Sequence, residues 1–315
     1  MRNLARRLPR PLREGIRTGL KRYRSARYRL RERVSPTELS AADVSAALRE
    51  CGLTSGDGAF CQAAMSAFGG VDNGPQTVLE AFEEVLGREG LLAMPAYPLA
   101  GPAIEHLAGD PVFDARLTPS RMGAISEAFR KRPGTQRSVH PTHSTCASGP
   151  GAAQIVGGHE RAATPFGDGT PFPRIVERNP LQIFFGCGTG AITMYHSFEC
   201  VRVPPYPLDV FADRHFDARC VDADGRELVV RTLVHNPELA PGRIDANPRL
   251  QHRYRYAILG AGGRAVQLGH GEILAIRLQS LFEVFEELLA EGTTIYDRPL
   301  PARAPTEPPQ DRVRG

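Results

Sequence analysis

The chain has 315 residues, 41% of them apolar, with 32 glycines, 27 prolines and a net charge of +4. That length is enough for one large domain or two small ones around a sizeable core, and the richness in Gly and Pro points to a loop-rich α/β protein rather than a helical bundle. No apolar run approaches the ~20 residues that span a bilayer, and the N-terminus lacks the apolar segment of a secretory signal, so a cytoplasmic protein is expected.

Residues 1–34 form a basic arm with 13 Lys and Arg against only Glu14 and Glu32, which leaves the rest of the chain net negative. Leu4, Leu8, Leu12, Ile16 and Leu20 recur every four residues in it, an amphipathic pattern interrupted by Pro9 and Pro11. A solvated tail and a contact with an anionic membrane surface or an acidic partner both fit this arm. No base-reading motif accompanies the charge, so no nucleic acid is expected as a partner.

Residues 35–298 read as the main domain. Ser40 is placed to cap a helix running to about Cys51, ended by Gly52. A strand near Ala59–Ala63 leads into the Gly-rich loop MSAFGGVDNGPQ, and a helix follows with Val78, Leu79, Phe82, Val85 and Leu86 on one face. Leu91–Met94 is a buried-strand run ended by Pro95. This order predicts a mixed, mainly parallel sheet with helices on both faces. Residues 98–121 read as irregular, Arg121–Arg132 as a helix, and SVHPTHSTCASGPGA as a site-forming loop. PFGDGTPFPRIVER reads as a turn and short helix, Gln182–Phe185 as a strand, GCGTG as a tight loop and Ala191–Cys200 as a helix. Residues 201–256 are Pro-rich with β-like stretches such as ELVVRTLV, and GEILAIRLQSLFEVFEELLAEG divides into a strand and a helix. The Pro/Arg-rich tail at 299–315 is expected to be disordered.

Glycines in Gly186–Gly190 free the backbone to turn tightly and expose helix N–H groups, but the spacing is not that of a dinucleotide-binding fingerprint. His196 lies in the following helix, with Glu199 three residues on and so on the same face. An imidazole there is suited to general-base work; a satisfied core histidine fits the local sequence as well. Cys146 beside His140 and His143 would suit a thiol nucleophile, although histidines flanking Pro141 also fit a rigid turn. The six cysteines form no C-x-x-C pair, and His140, His143 and His159 have no completing ligand at a recognisable spacing, so no metal is expected.

Four segments in order, over about residues 43–292, resemble the aminoglycoside 3-N-acetyltransferase (antibiotic N-acetyltransferase) family. They are MSAFGGVDNGPQTVLEAFEEVLGREGLLAMPAYP, RMGAISEAFRKRPGTQRSVHPTHSTCASGPGA, TPFGDGTPFPRIVE with QIFFGCGTGAITMYHSFE, and LGHGEILAIRLQSL. The resemblance implies an antibiotic N-acetyltransferase-like fold and transfer of acetyl from acetyl-coenzyme A to an amine on an aminoglycoside or amino-sugar-like molecule. It implies His196 as general base, and coenzyme contacts at Ser66, Ala67 and Phe68 and at Arg137 and Ser138. Two departures stand out. Met65-Ser66-Ala67 replaces the family's usual His-Ser-Ser, and the carboxylate that orients the histidine falls near His235-Asn236, neither of them an acid. Either Glu199 takes over, or Glu238 supplies the charge, or the dyad is altered. A coenzyme-binding scaffold without efficient catalysis, recruited to anionic surfaces by the arm, is the alternative that follows from the missing acid. The sequence leaves open whether the chain forms a homodimer.

Overall fold

A computed structural model describes residues 38–99 and 101–301, so the basic arm and residues 302–315 of the tail lie outside the described residues. In chain order the elements are α1 (Ala41–Glu50), β1 (Gly58–Ala63), α2 (Pro75–Leu86), β2 (Leu91–Pro95), α3 (Ala103–Leu107), β3 (Phe113–Asp114) and α4 (Ala124–Arg130). Then come β4 (Gln136–Arg137), β5 (Thr145–Ser148), α5 (Ala152–Val156), α6 (Pro171–Glu177), β6 (Leu181–Phe185) and α7 (Met194–Val201). The chain continues through β7 (Phe216–Val221), β8 (Glu227–Thr232), α8 (Pro248–Gly260), β9 (Arg264–Leu268), β10 (Gly271–Arg277) and α9 (Leu278–Ala290).

Local chemistry explains the early boundaries. Ser40 caps α1 through a reciprocal box: Asp43 N donates to Ser40 Oγ at 3.3 Å and Ser40 N donates to Asp43 Oδ2 at 2.9 Å. Pro75 stands at the first position of α2, where its missing N–H costs nothing. The expected apolar face of that helix is buried in full. The predicted Arg121–Arg132 helix starts late, at Ala124, because Gly123 in front of it has φ near +110°. The stretch at 98–121, expected to be irregular, contains α3 and β3.

The main sheet has the order β4-β5-β2-β1-β6-β10-β9, and β3-β7-β8 form a small second sheet. It is mixed, as expected. Five of its seven strands point the same way, but only β2-β1-β6 at the centre pair in parallel; the flanking pairs are antiparallel. Alternation along the central strands builds a layer on each face. Ala59, Cys61, Ile183 and Phe185 pack with α1, α2 and α4. Phe60 and Phe184 face the other way, against α5 to α9. Each fully buried Phe or Leu in these layers contributes about 1.5–3 kcal/mol. Among the described residues no helix is long and apolar enough to cross a membrane.

The start of α4 is held by one carboxylate. Glu127 accepts from Ser120 N at 2.7 Å and from Arg130 Nε at 2.9 Å, and meets Lys131 Nζ at 2.9 Å. Arg130, ahead of Lys131 and the Ser120 amide, draws its pKa down to about 2 against the opposing effect of burial. A carboxyl depressed on folding stabilises fully above its unfolded pKa, and that stabilisation fades as pH falls toward 2. Glu127→Gln should therefore cost about 1–3 kcal/mol at neutral pH. Denaturant titrations at pH 7 and near pH 2.5 check this, because the gap between variant and parent should narrow at the lower pH.

Candidate active site

The central strands place two loops side by side. From β1 the chain crosses to β2 on one side, and β6 later pairs on the other side of β1. The carboxyl ends of β1 and β6 therefore lie where the winding of the sheet reverses, the position at which open α/β sheets hold ligands. Ala64 N donates to Phe185 O at 2.8 Å, so the loop at 64–68 and the Gly186–Gly190 loop leave the sheet together.

Gly186 is required there. Its φ is +72°, and a Cβ would stand 2.5 Å from the Phe68 ring and 2.8 Å from Ala67 Cβ. Phe68 is fully buried, with its ring 4.3 Å from that of Phe185. Gly186→Ala combines a left-handed backbone with overpacking and should cost about 2–4 kcal/mol. Equilibrium unfolding in urea measures that loss.

Beyond the loop, Gln62 at the end of β1 locks the entry to α7. Its Nε2 donates to Thr193 Oγ1 at 2.8 Å and to Ala191 O. Cys187 Sγ bonds Gln62 O at 3.1 Å. These contacts fix the phase of α7, and helical spacing then sets His196 and Glu199 on one face. His196 Nδ1 lies 2.9 Å from Glu199 Oε2; the Glu199 side chain is fully buried and that of His196 is 14% exposed. Burial alone would raise the Glu199 pKa, but the two neighbouring imidazoles outweigh it and bring the group down to about 2. An ionised carboxylate only accepts, so Nδ1 carries the proton and the lone pair is left on Nε2.

His235 completes the group. A bridge between Phe211 and His235, and the bond from Asn236 N to Val210 O at 2.8 Å, hold it where the chain leaves the small sheet. Its ring centroid is 4.1 Å from that of His196. Its Nε2 stands 3.7 Å from Glu199 Oε2, an electrostatic contact too long for a hydrogen bond. Burial, then His196, depress the His235 pKa to about 4, so it is neutral near pH 7. Phe166 lies against both imidazoles, at 5.1 Å and 5.4 Å. The role of His235 was not legible in the sequence; the only signal was that it occupies the place where the resemblance calls for an acid. Glu238, the other carboxylate considered, is exposed on a 3-10 turn and takes part there through its backbone.

Ser66 is exposed and Ala67 half-buried at the sheet's reversal point, open to a ligand, whereas the Phe68 ring is core. Arg137 and Ser138, expected near the coenzyme phosphates, have their side chains engaged within the protein. Arg137 faces inward: its Nε donates to Ser144 Oγ at 3.1 Å, its NH2 to Ala96 O at 2.6 Å and its NH1 to the Ala115 and Thr118 carbonyls. Ser138 is buried, accepting from Thr145 N at 2.8 Å and meeting His159 Nδ1 at 2.9 Å. The guanidinium thus satisfies loop carbonyls of Ala96, Ala115 and Thr118 that follow β2 and β3. The whole SVHPTHSTC stretch is likewise interior rather than an open loop. Cys146 is fully buried in β5, and burial pushes its thiol up to about 12, which removes it as a nucleophile. His140 stacks on His159 at 4.4 Å, but their nitrogens are engaged by Thr232, Thr142, Ser138 and Pro165 O.

The family model described as aminoglycoside 3-N-acetyltransferase matches residues 60–290. The aminoglycoside N(3)-acetyltransferase VII of Streptomyces paromomycinus is 31% identical over 173 residues, covering 50% of this chain and 59% of that protein. The match thus spans little more than half the length of that curated relative. Among solved structures, AAC-VIa bound to sisomicin aligns with a TM-score of 0.68 at 24% identity, covering 81% of this chain and 98% of that one. The AAC-IIIb binary complex with CoASH aligns at 0.67 with 20% identity, covering 84% and 100%. At those identities the structural likeness speaks to the fold.

Proposed function

The chain belongs to the aminoglycoside 3-N-acetyltransferase family, and from that premise we propose that it transfers acetyl from acetyl-coenzyme A to an amino group of an aminoglycoside or amino-sugar-like small molecule, with His196 as general base. The observation that carries the reading is the 2.9 Å contact between His196 Nδ1 and the buried Glu199 carboxylate, beside the paired loops of the sheet. The CoASH and sisomicin complexes of the structural neighbours support the two substrate classes.

In this reading His196 Nε2 takes a proton from the acceptor amine as its nitrogen bonds to the acetyl carbonyl carbon. The same proton then goes to the departing thiolate, so the imidazole ends neutral. Glu199 holds the ring in the tautomer that leaves Nε2 basic and stabilises the transient imidazolium. His235 stays neutral beside it and packs the ring in place. Ser66 and Ala67, at the carboxyl ends of the parallel strands, are the positions for coenzyme contact. Donors to the developing oxyanion are expected from backbone N–H groups of the two loops. The scaffold alternative rested on a missing acid, and no observation favours it with Glu199 standing 2.9 Å from His196.

Incubation with acetyl-coenzyme A and a panel of aminoglycosides and amino sugars tests the proposal, with acetylated product read by mass spectrometry and free thiol by colour reaction. Release that depends on an amine acceptor is expected. Measurable coenzyme binding without product from any amine would overturn it.

A further inference from the structure

His196, Glu199 and His235 each point one potential ligand atom into a common space, all three within 4.8 Å of one another. Two of the separations are known closely: 2.9 Å for His196 Nδ1 to Glu199 Oε2 and 3.7 Å for His235 Nε2 to the same oxygen. A tetrahedral ion held at about 2.0–2.2 Å by imidazole and carboxylate sets its ligand atoms roughly 3.3 Å apart, so small side-chain rotations suffice. One of these atoms and one further atom lack hydrogen bonds. Glu199 Oε1 and His235 Nε2 are both buried without a hydrogen bond. Such orphaned polar atoms are costly unless something meets them. Two imidazoles and one carboxylate match divalent transition metals of borderline softness rather than calcium or magnesium, which take oxygen ligands.

We propose that these three side chains form a binding site for a zinc-like divalent cation, and that its occupancy switches acetyl transfer off. The inhibitory half rests on the reading of His196 as general base. The ion takes the Nδ1 side of the ring and the carboxylate that orients it, so Nδ1 loses its proton to solvent on binding. A cation bonded to the ring also draws density from the opposite nitrogen and disfavours a second positive charge there. Phe166 and the buried Glu199 give the ion a setting with little competing water.

The binding measurements use the full chain stripped of metal by chelator, without coenzyme present, because free thiol binds zinc; the activity measurement adds acetyl-coenzyme A and reads initial rates, before thiol accumulates. Calorimetric titration with Zn2+ and the visible absorption of Co2+ report binding directly. One ion per chain is expected, with a Co2+ spectrum of tetrahedral intensity. His235→Asn should weaken binding by about 100-fold or more, beyond the 10–100-fold cost of losing an outer partner. His235→Gln, checked with it by circular dichroism, keeps the comparison valid if one variant folds poorly. Zn2+ should also suppress acetylated product, read by mass spectrometry, and chelator should restore it. Absence of stoichiometric binding, or unchanged affinity in both folded His235 variants, would overturn the site. One-to-one binding without suppression of product would overturn the switch. Retained turnover in a His196 variant would instead strike the base reading and leave the metal measurement standing.

Discussion

His196→Ala is expected to lower kcat by about 10²–10⁴-fold, the usual contribution of a positioned general base, while coenzyme A binding stays largely unchanged. The separation follows from geography. The proposed coenzyme contacts lie at Ser66 and Ala67 on the loop after β1, whereas His196 stands in α7 beyond the Gly186–Gly190 loop. The alanine variant carries a structural cost as well. It leaves the fully buried Glu199 carboxylate without its 2.9 Å hydrogen-bond donor, and losing a buried hydrogen bond to a charged group costs roughly 1.5–3 kcal/mol. His196→Asn is therefore the better probe, because its amide can still donate toward the carboxylate but has no basic lone pair. A folded Asn variant with near-normal turnover would remove His196 from the chemistry.

Glu199→Gln should reduce kcat by about 100-fold or more, with KM little changed. The amide has nearly the shape of the acid, so the packing under α7 is preserved. What changes is the electrostatics. A carboxylate accepts only and fixes the proton on Nδ1, whereas an amide can also present N–H to that nitrogen and drive the proton onto Nε2, the wrong tautomer for a base. The charge that stabilises the imidazolium is lost too. Steady-state kinetics at saturating acetyl-coenzyme A read both effects. Glu238→Gln is the matched control, since that side chain is exposed on its 3-10 turn. If Glu238→Gln were the slow variant and Glu199→Gln were not, the charge partner would have to be reassigned.

The part of this protein visible in its sequence is the part set by local chemistry. Ser40 as a cap, the apolar face of α2, and the apolar runs of β2 and β6 are all short-range signals, and each element formed within two residues of where those signals put it, α2 starting at Pro75 rather than Thr77. The same holds for His196 and Glu199, because three residues on a helix place two side chains together whatever surrounds them. Helix α8 went unread because it is an Arg-rich helix that buries only Tyr254 and Ile258, so its period is faint; the Asn247 cap and Pro248 behind it were the available clues. The resemblance puts Arg137 and Ser138 near the coenzyme phosphates, and no local pattern shows their partners within the fold, the carbonyls of Ala96, Ala115 and Thr118 and the ring of His159. His235 reaches His196 from the far end of the small sheet, a contact between distant segments that no local periodicity encodes. On its own, the sequence determined the helix that carries His196 and the carboxylate beside it. The tertiary structure alone decided that a second imidazole shares that carboxylate, because side chains far apart in the chain meet only when the sheets and helices pack.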